Sequence, residues 1–224
     1  MWATAIARSQ LGDTAGALDD IRRVISIRTA MNGPTHEATL RASAEQALIF
    51  LNAADRDLAH RRDYLERSRV LYRQTLDEAD RQNLPMPLAR IAYGNVLRKM
   101  DLLDQALPQL LRANDEVTAR LGPRHKRAVW ARSSLASLYM QRREYDAAER
   151  QFVRVLTDAR GEDVGHYRFP VNAFGALDSL GDIQRERGRS EQARAYWRQA
   201  AEMGRQTPAI GAAELARLEE KMAR

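Results

Sequence analysis

The feature that most constrains this chain is a short motif that recurs five times along its length. A small residue is followed four positions later by a large apolar residue, and three positions further on by a second small or β-branched residue. The motif occurs at Ala17, Ile21 and Val24; at Ser68, Tyr72 and Thr75; at Ala106, Leu110 and Ala113; at Ala148, Phe152 and Val155; and at Ala193, Trp197 and Ala200. Its first members are separated by 51, 38, 42 and 45 residues. Because steps of four and three lie on one helix face, and because such periods are typical of stacked helical hairpins, the pattern predicts five hairpin units.

Residues 121–156 show one complete unit. Apolar and small residues fall at helical spacing on both sides of a polar turn formed by Arg142, Arg143 and Glu144. A turn this short forces the two helices to lie side by side as antiparallel neighbours. The small motif residue is expected to allow their close approach, and the large one to fill the gap to the next hairpin.

Two turns share the pattern Gly-Pro-x-His, in NGPTHEATL at 32–40 and in LGPRHKRAV at 121–129. Gly33 and Gly122 are suited to the left-handed conformation that ends a helix, and the prolines that follow cannot continue one. His36 and His125 lie 89 residues apart, which is a whole number of units, so both are predicted to be turn or capping residues. The remaining histidines, His60 and His166, share no register with them, and no metal site is expected.

The motif and its spacing resemble the tetratricopeptide repeat, and the family's large-small pair recurs at Tyr93-Gly94, Leu135-Ala136 and Leu180-Gly181. The Gly-Pro-x-His turns are similar to those of kinesin-light-chain-type repeats. The resemblance implies an all-α, right-handed α-solenoid of about five hairpins plus a C-terminal capping helix. It predicts a single domain over residues 1–224, with units at roughly 1–35, 36–84, 85–123, 124–165 and 166–207 and a capping helix at 211–223. The family's turn position would be taken by Gly12, Asp63, Asp101, Arg143 and Gly188.

Three departures from the period are informative. The second unit has nine extra residues between Ala47 and Asp63, which either extend the first helix or insert a loop and could form a ledge at one rim. In the fourth unit a longer connection brings Tyr167, Arg168 and Phe169 together, as contact residues or as packing. The first helix is truncated, which suggests a piece of a longer protein or completion by a partner, with self-association as a possibility.

Composition and charge narrow the functional classes. The net charge is +6 and the pI about 9.9, but most arginines alternate with acidic residues, which is typical of solvated helix faces. The absence of cysteine excludes disulfides and thiolate metal sites, and no apolar run approaches the roughly 20 residues that cross a bilayer. We therefore expect a cytoplasmic protein, of bacterial type, that does not associate with a membrane.

The sequence contains no motif of a known catalytic class, whether phosphate loop, nucleophile elbow, zinc-binding helix or kinase signature. Asp178 and Asp182 lie four residues apart on one helix face, but no histidine or third ligand accompanies them. We expect neither an enzyme nor a cofactor.

The resemblance implies that the first helices of the hairpins line a concave peptide-binding groove. Carried over by register, its positions are Arg41, Leu48, Ile91, Asn95, Arg98, Lys99, Trp130, Ser133, Ser137, Met140, Asp178, Asp182 and Arg185. Of the chaperone-type carboxylate clamp only Asn95 is present, so chaperone tails are not the expected ligand. An acidic peptide with an apolar anchor suits these residues. The chain is thus expected to be a protein-interaction scaffold. Its alternatives are the regulatory region of a larger signalling protein and, second, nucleic-acid binding through an arginine-rich face such as Arg124–Arg127.

Overall fold

Residues 1–160 and 169–223, which the computed structural model of this protein describes, form eleven α-helices. In chain order these are α1 (Trp2–Leu11), α2 (Thr14–Asn32), α3 (Glu37–Arg56), α4 (Arg61–Arg81), α5 (Pro87–Lys99), α6 (Leu103–Leu121), α7 (Lys126–Gln141), α8 (Tyr145–Ala159), α9 (Pro170–Glu186), α10 (Ser190–Arg205) and α11 (Ala212–Ala223). The first ten pair in sequence into five helical hairpins, and α11 packs on the last of them. The prediction of an all-α solenoid of helical hairpins with a C-terminal capping helix is confirmed.

The helices belong to two compact units, Met1–Ala113 and Asn114–Arg224. In the first unit α1 contacts α3 and α3 contacts α5, while α2 packs against α3 and α4 against α5. In the second unit α7 contacts α9, α8 packs against α9, and α11 packs against α10. Within each unit a hairpin therefore contacts the next hairpin along the chain, which is the arrangement of stacked repeats.

The recurring motif forms the core, and in two hairpins its large residue also packs against the first helix of its own hairpin. Trp197 packs on Gly181, the small residue in the first helix of its own hairpin, and a Cβ atom there would lie 2.3 Å from the indole nitrogen. Leu110 packs on Gly94 in the same way, with its Cγ 2.5 Å from such an atom. In these two hairpins the large residue fills the space beside the glycine, because the missing side chain opens a hole directly opposite it. Phe152 belongs to the same core cluster as Ala176 and Leu180 of the next hairpin, which agrees with the prediction.

The glycines of the Gly-Pro-x-His turns have the positive φ that the prediction requires, although the ψ of 162° at Gly33 lies outside the left-handed helical region. Gly33 and Gly122 have φ values of +92° and +80°, a region that residues with a Cβ atom rarely adopt. His36 and His125 are the N-cap residues of α3 and α7. A short sequence motif is enough to predict these turns and caps, because the residues that interact lie within a few positions of one another in the chain.

Of the five turn residues that the family resemblance predicts, four lie in the turn of their hairpin and one does not. Gly12, Asp101, Arg143 and Gly188 all have positive φ. Asp63 instead lies in the first turn of α4, and the first helix of that hairpin ends at Arg56. The prediction for Asp63 is wrong because the extra residues of this unit shift the turn towards the N-terminus.

The nine extra residues of the second hairpin extend both of its helices by one turn. α3 continues nine residues beyond Ala47, whereas α5, α7 and α9 continue five residues beyond their equivalent small residues. α4 begins seven residues before Ser68, whereas α6, α8 and α10 begin three residues before their motif residues. The connecting loop, residues 57–60, is one residue longer than the equivalent loops. The second hairpin therefore reaches one helical turn further than its neighbours in the same unit, and exposed Leu58 lies in its loop.

The predicted contact segment before α9 is described only at its end. Tyr167 and Arg168 lie outside the described residues. Phe169, which precedes α9, packs against the apolar core that α8 and α9 share. Of the two interpretations considered for this aromatic residue, packing is the one that the structure supports.

Candidate functional site

The first unit carries two adjacent cations, Arg98 and Lys99, in the last turn of α5. The ammonium group of Lys99 donates a hydrogen bond to Oδ1 of Asp55 on α3, at 2.5 Å, and its side chain is 22% exposed. Burial lowers the pKa of the Arg98 guanidinium, and the Asp55 carboxylate opposes this effect only in part. The surroundings of Arg98 therefore disfavour its positive charge, and a further carboxylate would stabilise it.

Asp55 belongs to the turn by which α3 exceeds the first helices of the other hairpins. Without that turn α3 would end near Asn52, and Lys99 would have no carboxylate across the gap between α3 and α5. The neighbouring Arg56 points the other way and donates hydrogen bonds to the backbone carbonyls of Ser9 and Gln10 at the end of α1. Asp55 was not among the predicted site residues. The sequence signal for this added turn of α3 was the presence of nine extra residues after Ala47.

The other predicted positions of the first unit differ in their access to solvent. Asn95 is partly exposed on α5, and Leu48 is partly exposed on α3. Arg41 is exposed and forms an ion pair with Glu37 one turn earlier, at 2.5 Å. Ile91 has no exposed surface, so its assignment to the groove is wrong. The reason is that neighbouring helices bury eight of the thirteen residues of α5, leaving only a narrow exposed stripe.

On α7 the predicted polar residues bond to their own helix. The hydroxyl of Ser133 donates to the carbonyl of Val129, and that of Ser137 donates to the carbonyl of Ser133, each at 2.9 Å. Trp130 is partly exposed, and Met140 packs in part against the core. This face therefore offers apolar contact surface more than hydrogen-bonding groups.

On α9 the predicted acidic residues are covered by α11. Asp178, which is 7% exposed, accepts hydrogen bonds from Arg217 and Lys221, each at 2.6 Å. Lys221 also donates to Asp182 at 2.8 Å. Arg185 remains exposed, with its guanidinium group 5.5 Å from the centre of the Trp197 ring. Asp178 and Asp182 are therefore not open to a ligand in this structure, because the last helix occupies the position that a ligand would need.

A further feature of the first unit was not predicted from the sequence. An open pocket of about 610 Å³ lies beside the turn between α1 and α2. The rings of Phe50 and Tyr64, whose centroids are 6.1 Å apart, line it together with Arg22 and Arg67. Each of these arginines is paired with a carboxylate of its own helix, so the charges around the pocket are balanced.

Among the described residues, no group of three or more histidine, aspartate or glutamate side chains is arranged to hold a metal ion. Within the same part of the chain, no helix is both long enough and apolar enough to cross a membrane.

Comparison with known proteins identifies the repeat. Residues 129–160, which comprise α8 and most of α7, match the model of the tetratricopeptide repeat. The fold is similar to that of a putative kinesin light chain from Podosopora anserina with nearly identical TPR-like repeats, with a TM-score of 0.73 and 14% identity over 93% of this chain and 94% of the other. It is also similar to BtubC (BKLC) from P. vanneervenii, with a TM-score of 0.70 and 13% identity over 92% of this chain and 80% of the other.

A more distant structural neighbour is YrrB, described as a TPR protein with an unusual peptide-binding site. Its TM-score is 0.53, with 16% identity over 98% of this chain and 90% of the other. Comparison of the sequence with curated proteins found no significant match.

Proposed function

Because this chain is a tetratricopeptide-repeat protein whose fold is of the kinesin-light-chain type, we propose that it binds an acidic peptide segment of a partner protein at Arg98 and Lys99. Repeat proteins of this fold generally serve as interaction scaffolds, and they are generally not enzymes. The peptide-binding site named for YrrB, which has a similar fold, supports a peptide as the ligand class. The single observation that carries the proposal is the position of two adjacent cations, Arg98 and Lys99, in the last turn of α5, where both are partly exposed.

The argument begins with the electrostatics of the last turn of α5. Lys99 is paired with Asp55, whose side chain is 46% exposed. Burial lowers the pKa of the Arg98 guanidinium, and a carboxylate of a ligand would favour its charged form. Charge-assisted hydrogen bonds from arginine to carboxylate are about twice as strong as neutral ones, which favours an acidic residue of the ligand.

The same face supplies further contacts. Asn95 lies on α5 one turn before Arg98 and Lys99, and its amide can bond both to a backbone N–H and to a backbone carbonyl. Leu48 lies on α3 and is partly exposed, so it can contact an apolar residue of the ligand. A peptide that carries carboxylates next to an apolar residue matches this combination.

The test is a binding assay with synthetic peptides of equal length. One set carries aspartate and glutamate beside leucine, and the other carries the corresponding amides. The R98M/K99M variant removes both charges and keeps most of the apolar stems, so the packing of α5 is largely retained. The matched control is R22M/R23M, which removes two cations from the exposed face of α2.

We expect the wild type and the control to bind the acidic set at least tenfold more tightly than R98M/K99M does. All three chains should melt within a few degrees of one another. Equal binding of the acidic and amide sets, or undiminished binding by a folded R98M/K99M variant, would contradict the proposal.

A second candidate ligand is a nucleic acid at the start of α7, where Arg124 in the preceding turn and Lys126 and Arg127 in the first turn of the helix are all exposed. Phosphate contacts release counterions, so such binding weakens steeply as salt rises. The affinity for single- and double-stranded oligonucleotides should then fall at least tenfold between about 50 and 200 mM salt, because counterions are released on binding. Binding that is absent at low salt, or constant over this range, would eliminate this candidate.

A further inference from the structure

The first helix of the last hairpin, α9, carries two carboxylates that are bound by cations of α11. The residues of α11 therefore indicate what kind of ligand this surface binds. We call Asp178, Asp182 and Trp197 the acidic site. Lys221 of α11 donates to both carboxylates, and its ammonium group lies 5.8 Å from the centre of the Trp197 ring. Arg217, one turn earlier on α11, donates to Asp178. The acidic site therefore recognises two cations spaced four residues apart on a helix.

The acidic site also has an apolar floor. Leu218 of α11 is fully buried in a cluster that includes Phe174, Leu177 and Trp197. Leu215 and Met222 pack against the same cluster and are only partly buried. A helix that fits here must therefore carry leucine or a similar residue on the stripe beside its two cations.

α11 buries little of its own apolar surface. Leu218 is the one buried residue among its twelve. A helix of this length is marginal in isolation, so α11 is expected to be helical mainly while it is docked. Elements with few buried apolar contacts open at the lowest free energies in a protein. The Oδ1 atom of Asp182 is buried, and Arg185 lies 3.5 Å from it as an ion-pair partner, so this carboxylate faces a cation of α9 as well as Lys221.

We propose that the acidic site is exchangeable: it accepts a basic amphipathic helix of a partner protein, and α11 occupies it when no partner is bound. The partner helix carries arginine or lysine at positions i and i+4 with leucine on the same face, as Arg217, Leu218 and Lys221 do in α11. Its charge is opposite to that of the peptide proposed for Arg98 and Lys99. The two proposals rest on different residues, and each can fail while the other stands.

The test uses the full chain and a fluorescent synthetic peptide with the sequence of residues 211–223. In the R217E/K221E variant α11 carries the wrong charges for the acidic site and should undock. The control, R194E/R198E, makes the same change of charge at the same spacing on the exposed face of α10. A second release variant, L218E, removes the buried contact and keeps both cations.

We expect R217E/K221E and L218E to bind the peptide at least tenfold more tightly than the wild type and R194E/R198E, because their own α11 no longer competes. A peptide that carries glutamate at both cationic positions should not bind any of the chains. Hydrogen exchange should show faster exchange within α11 in the two release variants only.

Equal peptide affinity in all four chains, or protection of α11 in both release variants as strong as in the wild type, would overturn the proposal. A stable wild-type dimer that R217E/K221E abolishes would make a second copy the occupant, and would also overturn the assignment to a partner protein.

Discussion

His36 and His125 lie 89 residues apart and make the same hydrogen bond. In each case the ring Nδ1 atom accepts the backbone N–H of the residue two positions further on, at 3.1 Å. The proton on each neutral ring is thereby assigned to Nε2. The two imidazoles cap α3 and α7 in place of the usual serine, threonine or aspartate, and so satisfy one of the free N–H groups at each helix start.

The first prediction concerns these caps. H36A and H125A should each lower the free energy of unfolding by about 1 kcal/mol, because the helix start loses its side-chain acceptor. H36N and H125N should retain most of that stability, since asparagine is among the best N-cap residues. Urea denaturation of the four variants measures the difference. Equal losses for alanine and asparagine would show that the ring does not act as a cap.

The second prediction concerns the buried ion pair between Arg132 of α7 and Asp158 of α8. Arg132 is 5% exposed. The D158A variant should lose about 3–5 kcal/mol, because it leaves the guanidinium charge buried without its carboxylate. The double variant R132M/D158L should be clearly more stable than D158A, since removing both charges removes the desolvation cost as well.

The control for the second prediction is the exposed pair Arg22–Asp19, whose side chains are 57% and 65% exposed. D19A should cost less than about 1 kcal/mol because water screens this pair. Urea denaturation measures all three variants, and a loss in D158A as small as that in D19A would contradict the argument.

The third prediction uses two glycines of α9. Gly181 faces Trp197, where a Cβ atom would lie 2.3 Å from the indole nitrogen, whereas nothing lies within 4 Å of such an atom at Gly175. G181A should therefore destabilise the protein by about 1–3 kcal/mol through overpacking. G175A should stabilise it by about 0.5–1 kcal/mol, because alanine has the higher helix propensity. Thermal melting compares the two, and changes of the same sign would count against the close contact.

The fourth prediction concerns Glu45 on α3, whose carboxyl pKa is raised by burial. The folded protein therefore binds a proton at Glu45 more readily than the unfolded chain does, and above the ordinary pKa of about 4.3 the ionised group weakens folding. E45Q should stabilise the protein at pH 7, and this gain should disappear as the pH falls below about 4. Urea midpoints at the two pH values test this prediction. E202Q, at an exposed position of α10, should give no such pH-dependent gain.

Features whose two ends lie close together in the chain could be predicted from the sequence. The helical hairpins, the positive φ of Gly33 and Gly122 and the capping histidines all follow from short patterns. The number of extra residues after Ala47 could also be predicted, because counting from equivalent positions requires only the period. The period does not reveal that these extra residues add one turn to α3 and one turn to α4.

The site residues were harder to predict for a physical reason. Register places Ile91 and Asp178 on the face that the family uses for binding, but it does not say which neighbouring helix covers them. Ile91 is fully buried, and Asp178 is bound by Arg217 and Lys221 of α11. The spacing of Arg217 and Lys221 matches that of Asp178 and Asp182, and this match was the available signal in the sequence.

The sequence by itself determined the helices, their pairing into hairpins and the turns between them, because helix periodicity, glycine conformation and capping act over a few residues. Only the tertiary structure decided which charges meet, as Lys99 does with Asp55 and Lys221 with Asp182. Those pairs join residues about forty positions apart, and their contact depends on how far each helix extends and on which helix packs over it.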